Sequence, residues 1–162
     1  MDDTLEQHAR DLATTNRYLT LGTVDADGLP WTSPVYFSAT DDLRRFLWVS
    51  SPASQHSLNL TVRPAVSLAV FDSTVAPYHG RCLYAAGSAT VLEGADLEAG
   101  LASYPGPAER GGSAVAVEDV TGDAPWRLYG ADATALWVLC PREPRQPCPR
   151  HGRADDHRAR IW

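Results

Sequence analysis

Ser50, Ser51, Ser54 and His56 fall within seven positions, and no carboxylate lies between Asp42 and Asp72. Ser51 suits an N-cap, Pro52 suits the first helical position, and Arg63-Pro64 stops the helix after about three turns. The start of such a helix offers unbonded backbone N–H groups and the positive end of its dipole. Three hydroxyls and an imidazole beside those groups make an anion site, with phosphate the natural occupant. The plain alternative is an ordinary capped helix.

A second set lies near the C-terminus, Cys140-x7-Cys148-x2-His151-x5-His157. It holds four potential zinc ligands but lacks the paired C-x2-C knuckle of structural zinc modules. The spacing reads as residues scattered along a flexible tail, and no metal site is assigned. His8 and His79 stand alone and read as surface residues. No Gly-rich phosphate loop, nucleophile elbow or HExxH occurs, so nucleophilic hydrolysis has little support. All 14 basic residues are arginine, which excludes a Schiff-base lysine and ordinary pyridoxal-phosphate catalysis.

The elements that position these residues follow from periodicity. Residues 46–50 alternate and residues 65–71 are an almost unbroken apolar run, so both read as strands flanking the serine-rich helix. Residues 4–15 form an amphipathic helix opened by a capping box, and residues 18–24 a strand joined through Asp25-Ala26-Asp27-Gly28 to a second strand over 31–38. Pro34 restricts that strand to an edge or a bulge. Residues 81–92 form a long segment whose centre, Ala85 to Ala89, is small throughout, so either another backbone or a flat ligand approaches there, or the chain bends to close a barrel. A helix follows at about 95–104, then a loop through Gly111-Gly112. Two last strands, 126–129 and 134–140, are separated by a turn at Gly130-Ala131-Asp132. The result is a mainly β chain, a small antiparallel barrel or sandwich with peripheral helices.

The chain has 162 residues, 44% of them hydrophobic, enough for one core. No run reaches membrane-span length, the acidic N-terminus is unlike a secretion signal, and the three cysteines form no disulfide framework, so a cytoplasmic protein is expected. Net charge is −6, yet residues 141–162 carry six arginines against three carboxylates, which leaves the remainder at −9. That tail has no interleaved stacking aromatics, and nucleic acid is not an expected partner. Four prolines from Pro141 onward point to an extended, poorly packed segment, so the domain is drawn at residues 1–140 and the tail at 141–162.

Taken in order, Gly28 to Phe37, Leu47 to Ser51, Ser54 to Leu60, Arg63 to Leu68 and Gly87-Ser88-Ala89 resemble the pyridoxamine 5′-phosphate oxidase-like family of flavin-binding split barrels. The resemblance covers about residues 15–92 and implies a six-stranded antiparallel split barrel that forms a homodimer with FMN at its interface. By position it places Ser33, Pro34, Val35 and Tyr36 along the flavin ring and Trp48 and Val49 beside the ribityl chain. Ser50, Ser51, Ser54, Gln55 and His56 fall around the phosphate, and Cys82 near a polar flavin contact. The family's basic residue on the first ring-lining strand is Ser33 here, and the basic pair that begins the helix is Gln55-His56. Phosphate binding then rests on N–H groups, hydroxyls, His56 and an arginine such as Arg63 or Arg81.

The implied activity is an FMN-dependent oxidoreductase acting on a small-molecule substrate by hydride transfer through N5, with Tyr36, Tyr129 and His79 as candidate proton donors. Trp126, Arg127 and the arginine-rich tail are candidates to cover the site or cross to a partner subunit. Two alternatives remain, a reductase using the deazaflavin F420 on the same fold and a non-catalytic protein that binds flavin or haem.

Overall fold

The computed structural model describes residues 3–162. Helix α1 (Asp3–Thr15) leads into β1 (Tyr18–Val24), β2 (Pro30–Tyr36), the two-residue β3 (Ser38–Ala39) and β4 (Arg45–Ser50). Helix α2 (Gln55–Val62) and strands β5 (Ala65–Phe71) and β6 (Cys82–Val91) follow, then α3 (Gly94–Ser103), β7 (Arg127–Leu139) and β8 (Arg158–Arg160). Eight strands form one antiparallel sheet in the order β2-β1-β5-β6-β7-β4-β3, with β8 against β7. Residues of β2 and β4, near opposite ends of that order, still meet, because the sheet curls into a split barrel. The sequence resemblance implied six strands; the additional ones are the short β3 and β8.

Alternation decides which face is inside. Leu19, Leu21 and Thr23 of β1 and Val66, Leu68 and Val70 of β5 point inward while their neighbours are more exposed. Phe37, Phe46, Trp48, Leu83, Leu136 and Val138 complete the interior, each contributing about 1.5–3 kcal/mol by leaving water. Helix α1 adds Leu5, Ala9, Leu12 and Ala13, the stripe its sequence spacing predicts. A smaller cluster of Leu47, Leu92, Leu97, Val120 and Leu128 seats α3 on the other face of β4 and β7. Among the described residues no helix is long and apolar enough to cross a membrane.

Four expectations change. Helix α2 begins at Gln55 with Ser54 as its N-cap residue, because residues 51–54 form a turn instead of a first helical turn. Strand 31–38 breaks at Phe37 into β2 and β3. The two last strands are one: Gly130, Ala131 and Asp132 pair with β4 on one side and β6 on the other. Gly130 serves packing there, since a Cβ would lie 2.8 Å from Leu92 Cδ2. Finally, residues 141–162 are not a loose tail. Cys148, His157 and Ala159 are buried, β8 pairs with β7, and Ile161 and Trp162 pack on the main core.

The small run in β6 has a structural explanation. The ladder to β7 shifts register between Ala86 and Gly87, and a Cβ on Gly87 would stand 2.0 Å from the Asp132 carbonyl oxygen. Glycine is required because a second backbone crosses at that bulge.

Candidate functional site

The turn between β4 and α2 brings the polar set of the sequence together. Ser54 does not cap its helix with its side chain; its hydroxyl joins a cluster within the seam instead. The His56 ring is 7% exposed. Its Nδ1 lies 3.0 Å from Ser33 Oγ on β2, and its Nε2 lies 2.9 Å from Ser50 Oγ and 3.1 Å from Ser54 Oγ. One imidazole thus spans the split between β2 and the end of β4. Ser54 Oγ also reaches Ser50 Oγ at 3.2 Å and donates to Ser57 Oγ at 2.8 Å, while the Trp31 indole N–H donates to Ser33 Oγ at 3.1 Å.

Electrostatically the cluster is neutral. Burial lowers the His56 pKa below its ordinary 6.5. Ser51 Oγ accepts from the Ala53 N–H and holds the turn. Gln55 lies outside the cluster and donates to Asn59 Oδ1, and buried Asn59 donates to Thr23 Oγ1, which fastens α2 to β1. Ser57 and Asn59 were missed in the sequence, where they look like ordinary polar helix residues. Their only signal is a spacing of three and five positions from Ser54. The arrangement has uncapped helix N–H groups, four hydroxyls and a neutral imidazole, a donor set that suits a phosphate without a fixed cation.

The other expected site residues divide. Pro34 is exposed on β2 and Ser33 and Tyr36 are partly exposed, but Val35 points into the core. The Tyr36 hydroxyl donates to the Pro105 carbonyl at 2.9 Å, and the buried Arg110 guanidinium lies over its ring and that of Phe37. Val49 is half-buried beside the smaller cluster. Trp48 has 0% exposure and stacks on Tyr129 at 5.7 Å, so its side chain is part of the core and does not open onto the seam. Tyr129, just 2% exposed, is removed as a proton donor by the same packing. Cys82 begins β6, three strands from β2 in the sheet order, with its thiol raised first by burial. His79 borders a cleft of about 460 Å³ with Arg81, Arg142, Glu143 and Gln146. Arg63 donates to the Asp25 and Ala26 carbonyls and Arg81 borders the His79 cleft, so neither supplies the missing phosphate cation.

The C-terminal set, read from sequence as scattered, converges. The Sγ atoms of Cys140 and Cys148 are 3.2 Å apart, His151 Nδ1 lies 3.4 and 3.5 Å from them, and His157 Nε2 lies 3.1 Å from His151 Nδ1. Burial, then the Cys148 neighbour, pushes the Cys140 thiol up. Burial also opposes ionisation of Cys148, but hydrogen bonds from Cys140 and from the His151 and Arg150 backbone outweigh it and bring that thiol down.

With this geometry in hand, comparison with known proteins defines the class. The family model described as pyridoxamine 5′-phosphate oxidase matches residues 5–139, and the chain belongs to that family. No curated protein matches the chain. Among solved structures, it is similar to a heme binding protein from Mycobacterium smegmatis, with TM-score 0.66 and 21% identity over 94% of this chain. The chain spans 57% of the length of that protein. It is also similar to HutZ, a heme storage protein from Vibrio cholerae, with TM-score 0.63 and 21% identity over 85% of this chain and 96% of that one. General Stress Protein 26 from Bacillus anthracis is similar at TM-score 0.61 and 14% identity, over 85% of this chain and 95% of that one. These likenesses concern the fold.

Proposed function

We propose that this chain binds FMN in the seam between β2 and α2 and serves as a flavin-dependent oxidoreductase toward a small-molecule substrate. The observation that carries the reading is the uncapped start of α2, where Ser50 and Ser54 meet neutral His56 beside the exposed edge strand β2 and Ser51 holds the turn. The chemistry FMN supplies when bound is hydride transfer at N5. The residues of this chain bind and orient: helix N–H groups and the serine hydroxyls receive the phosphate, and Ser33, Pro34 and Tyr36 border the ring. Val35, Trp48 and Tyr129 support them from the core.

The same proposal includes a homodimer. Leu58 and Val62, one helical turn apart on α2, are 50% and 56% exposed, and Trp31 on β2 is 50% exposed. A second copy placed over α2 and β2 covers these side chains and closes the open side of the seam.

The test is titration of the purified chain with FMN and with riboflavin, read by flavin fluorescence. FMN binds, and Ser54→Asp weakens it at least about tenfold, because a carboxylate there repels phosphate while remaining a good N-cap. Riboflavin, lacking the phosphate, is unaffected by the substitution. Absence of FMN binding to the wild-type chain overturns the reading. A second reading, haem binding or storage, is favoured by the names of the similar proteins from Mycobacterium smegmatis and Vibrio cholerae. A Soret band on haemin titration, without FMN uptake, selects it.

A further inference from the structure

We propose that Cys140, Cys148, His151 and His157 form a structural zinc site that fastens the C-terminal segment to the barrel. The four ligand atoms, two Sγ, His151 Nδ1 and His157 Nε2, all lie within 4.8 Å of one another. A zinc tetrahedron with Zn–S of about 2.3 Å and Zn–N of about 2.0–2.1 Å has ligand-to-ligand edges of roughly 3.3–3.8 Å. Four of the six separations, 3.2, 3.4, 3.5 and 3.1 Å, lie within about 0.6 Å of those edges, and the His157 Nε2-to-sulfur separations, no wider than 4.8 Å, close onto the ion as the ring turns toward it.

The donor chemistry selects the metal. Two thiolates and two imidazoles in a tetrahedral set favour zinc over calcium, magnesium or manganese, which prefer oxygen. Four protein ligands leave no open position, so the site is structural and does not activate water. The surrounding groups orient the ligands as well. His157 Nδ1–H donates to the Asp155 carbonyl oxygen at 3.0 Å, which fixes the ring proton on Nδ1 and leaves the Nε2 lone pair facing the other ligands. Backbone N–H groups of Arg150 and His151 point at the Cys148 sulfur. The Arg142–Asp156 and Arg153–Asp155 ion pairs, both 2.6 Å, brace the loop on either side.

The segment also needs such a staple. Cys140 immediately follows β7, Cys148 and His151 lie in the loop, and His157 immediately precedes β8, so one ion ties three points of a 22-residue segment to the sheet. Between residues 141 and 157 the chain is rich in proline and arginine, and Cys148 and His157 are its only buried residues. Apolar burial there is too small to order the loop, and metal binding supplies folding free energy in its place. A Cys140–Cys148 disulfide is the rival for the same sulfurs, but it gives no reason for two imidazoles to converge on them.

The test uses the full chain purified under reducing conditions. Elemental analysis gives about one zinc per chain. After chelation, cobalt(II) restores the visible bands of a tetrahedral thiolate complex at about one equivalent, and zinc displaces them. Cys148→Ser and His157→Ala each lose the bands, and trypsin cuts the arginines between 142 and 153 faster in both variants and in the chelated wild type. Three results overturn the proposal: no zinc and no cobalt bands in a wild-type chain with native circular dichroism; metal retained undiminished in a Cys140→Ser/Cys148→Ser double variant; or a Cys140–Cys148 disulfide, mapped by mass spectrometry, in protein handled without oxygen.

Discussion

Burial lowers the proton affinity of His56 because an imidazolium loses its hydration inside the seam, and the hydroxyls of Ser33, Ser50 and Ser54 offer no charge in return. Its folded pKa lies below the ordinary 6.5, so between the two values the unfolded chain binds more protons. The stability this histidine contributes is complete above about pH 6.5 and is lost as pH falls toward the folded value. His8, lowered by burial and then by Arg81, acts in the same direction. The lowered carboxyls of Asp42, Asp72 and Asp155 act only further down, because their ordinary value is 3.8. The urea midpoint of the wild type therefore drops between about pH 7.5 and about pH 5.5, and His56→Gln, which cannot take up a proton, drops less; equal drops refute the assignment to His56.

Among the elements, β6 carries the sharpest steric demand. Gly87→Ala drives a Cβ into the Asp132 carbonyl and the Ala133 Cα, both main chain and neither free to retreat. A loss of about 3 kcal/mol is expected, against a near-neutral Ser88→Ala one position on, where the side chain is exposed. Thermal unfolding of the two variants measures the contrast. This element also shows what sequence discloses. The small residues at 85–89 announce a close approach, but only pairing tells whether ligand or backbone arrives. Likewise the serines and His56 were legible because a turn gathers them locally, whereas the link to Ser33 crosses 23 positions and depends on the curl of the sheet. Trp48 was assigned by its place in the family pattern and Tyr129 by its phenol, and neither ground says which side chains meet the core, where the structure puts both. Gly130 looked like a turn because glycine breaks local patterns for packing reasons too. The C-terminal ligands were dismissed on spacing, which counts residues along a chain that here folds back on itself.

For the molecule as a whole, the exposed apolar residues of α2 and β2 are the test of the proposed homodimer. Leu58→Glu combined with Val62→Glu converts a dimer to a monomer in sedimentation while far-ultraviolet dichroism stays unchanged, since both side chains are exposed in the single chain. A wild-type monomer at tens of micromolar refutes that interface. The long strand β7 has a different kind of consequence. It pairs with β4, β6 and β8, and its partner β4 precedes it by about 80 residues. During synthesis the ribosome therefore releases β4 with one flank unpaired, except for the two-residue β3 on the other side, and nothing upstream satisfies that flank. The first six strands must wait with an open apolar edge until residues 127–139 emerge, and in this fold the order of manufacture, more than the final contacts, decides when the chain is most prone to stick to its neighbours.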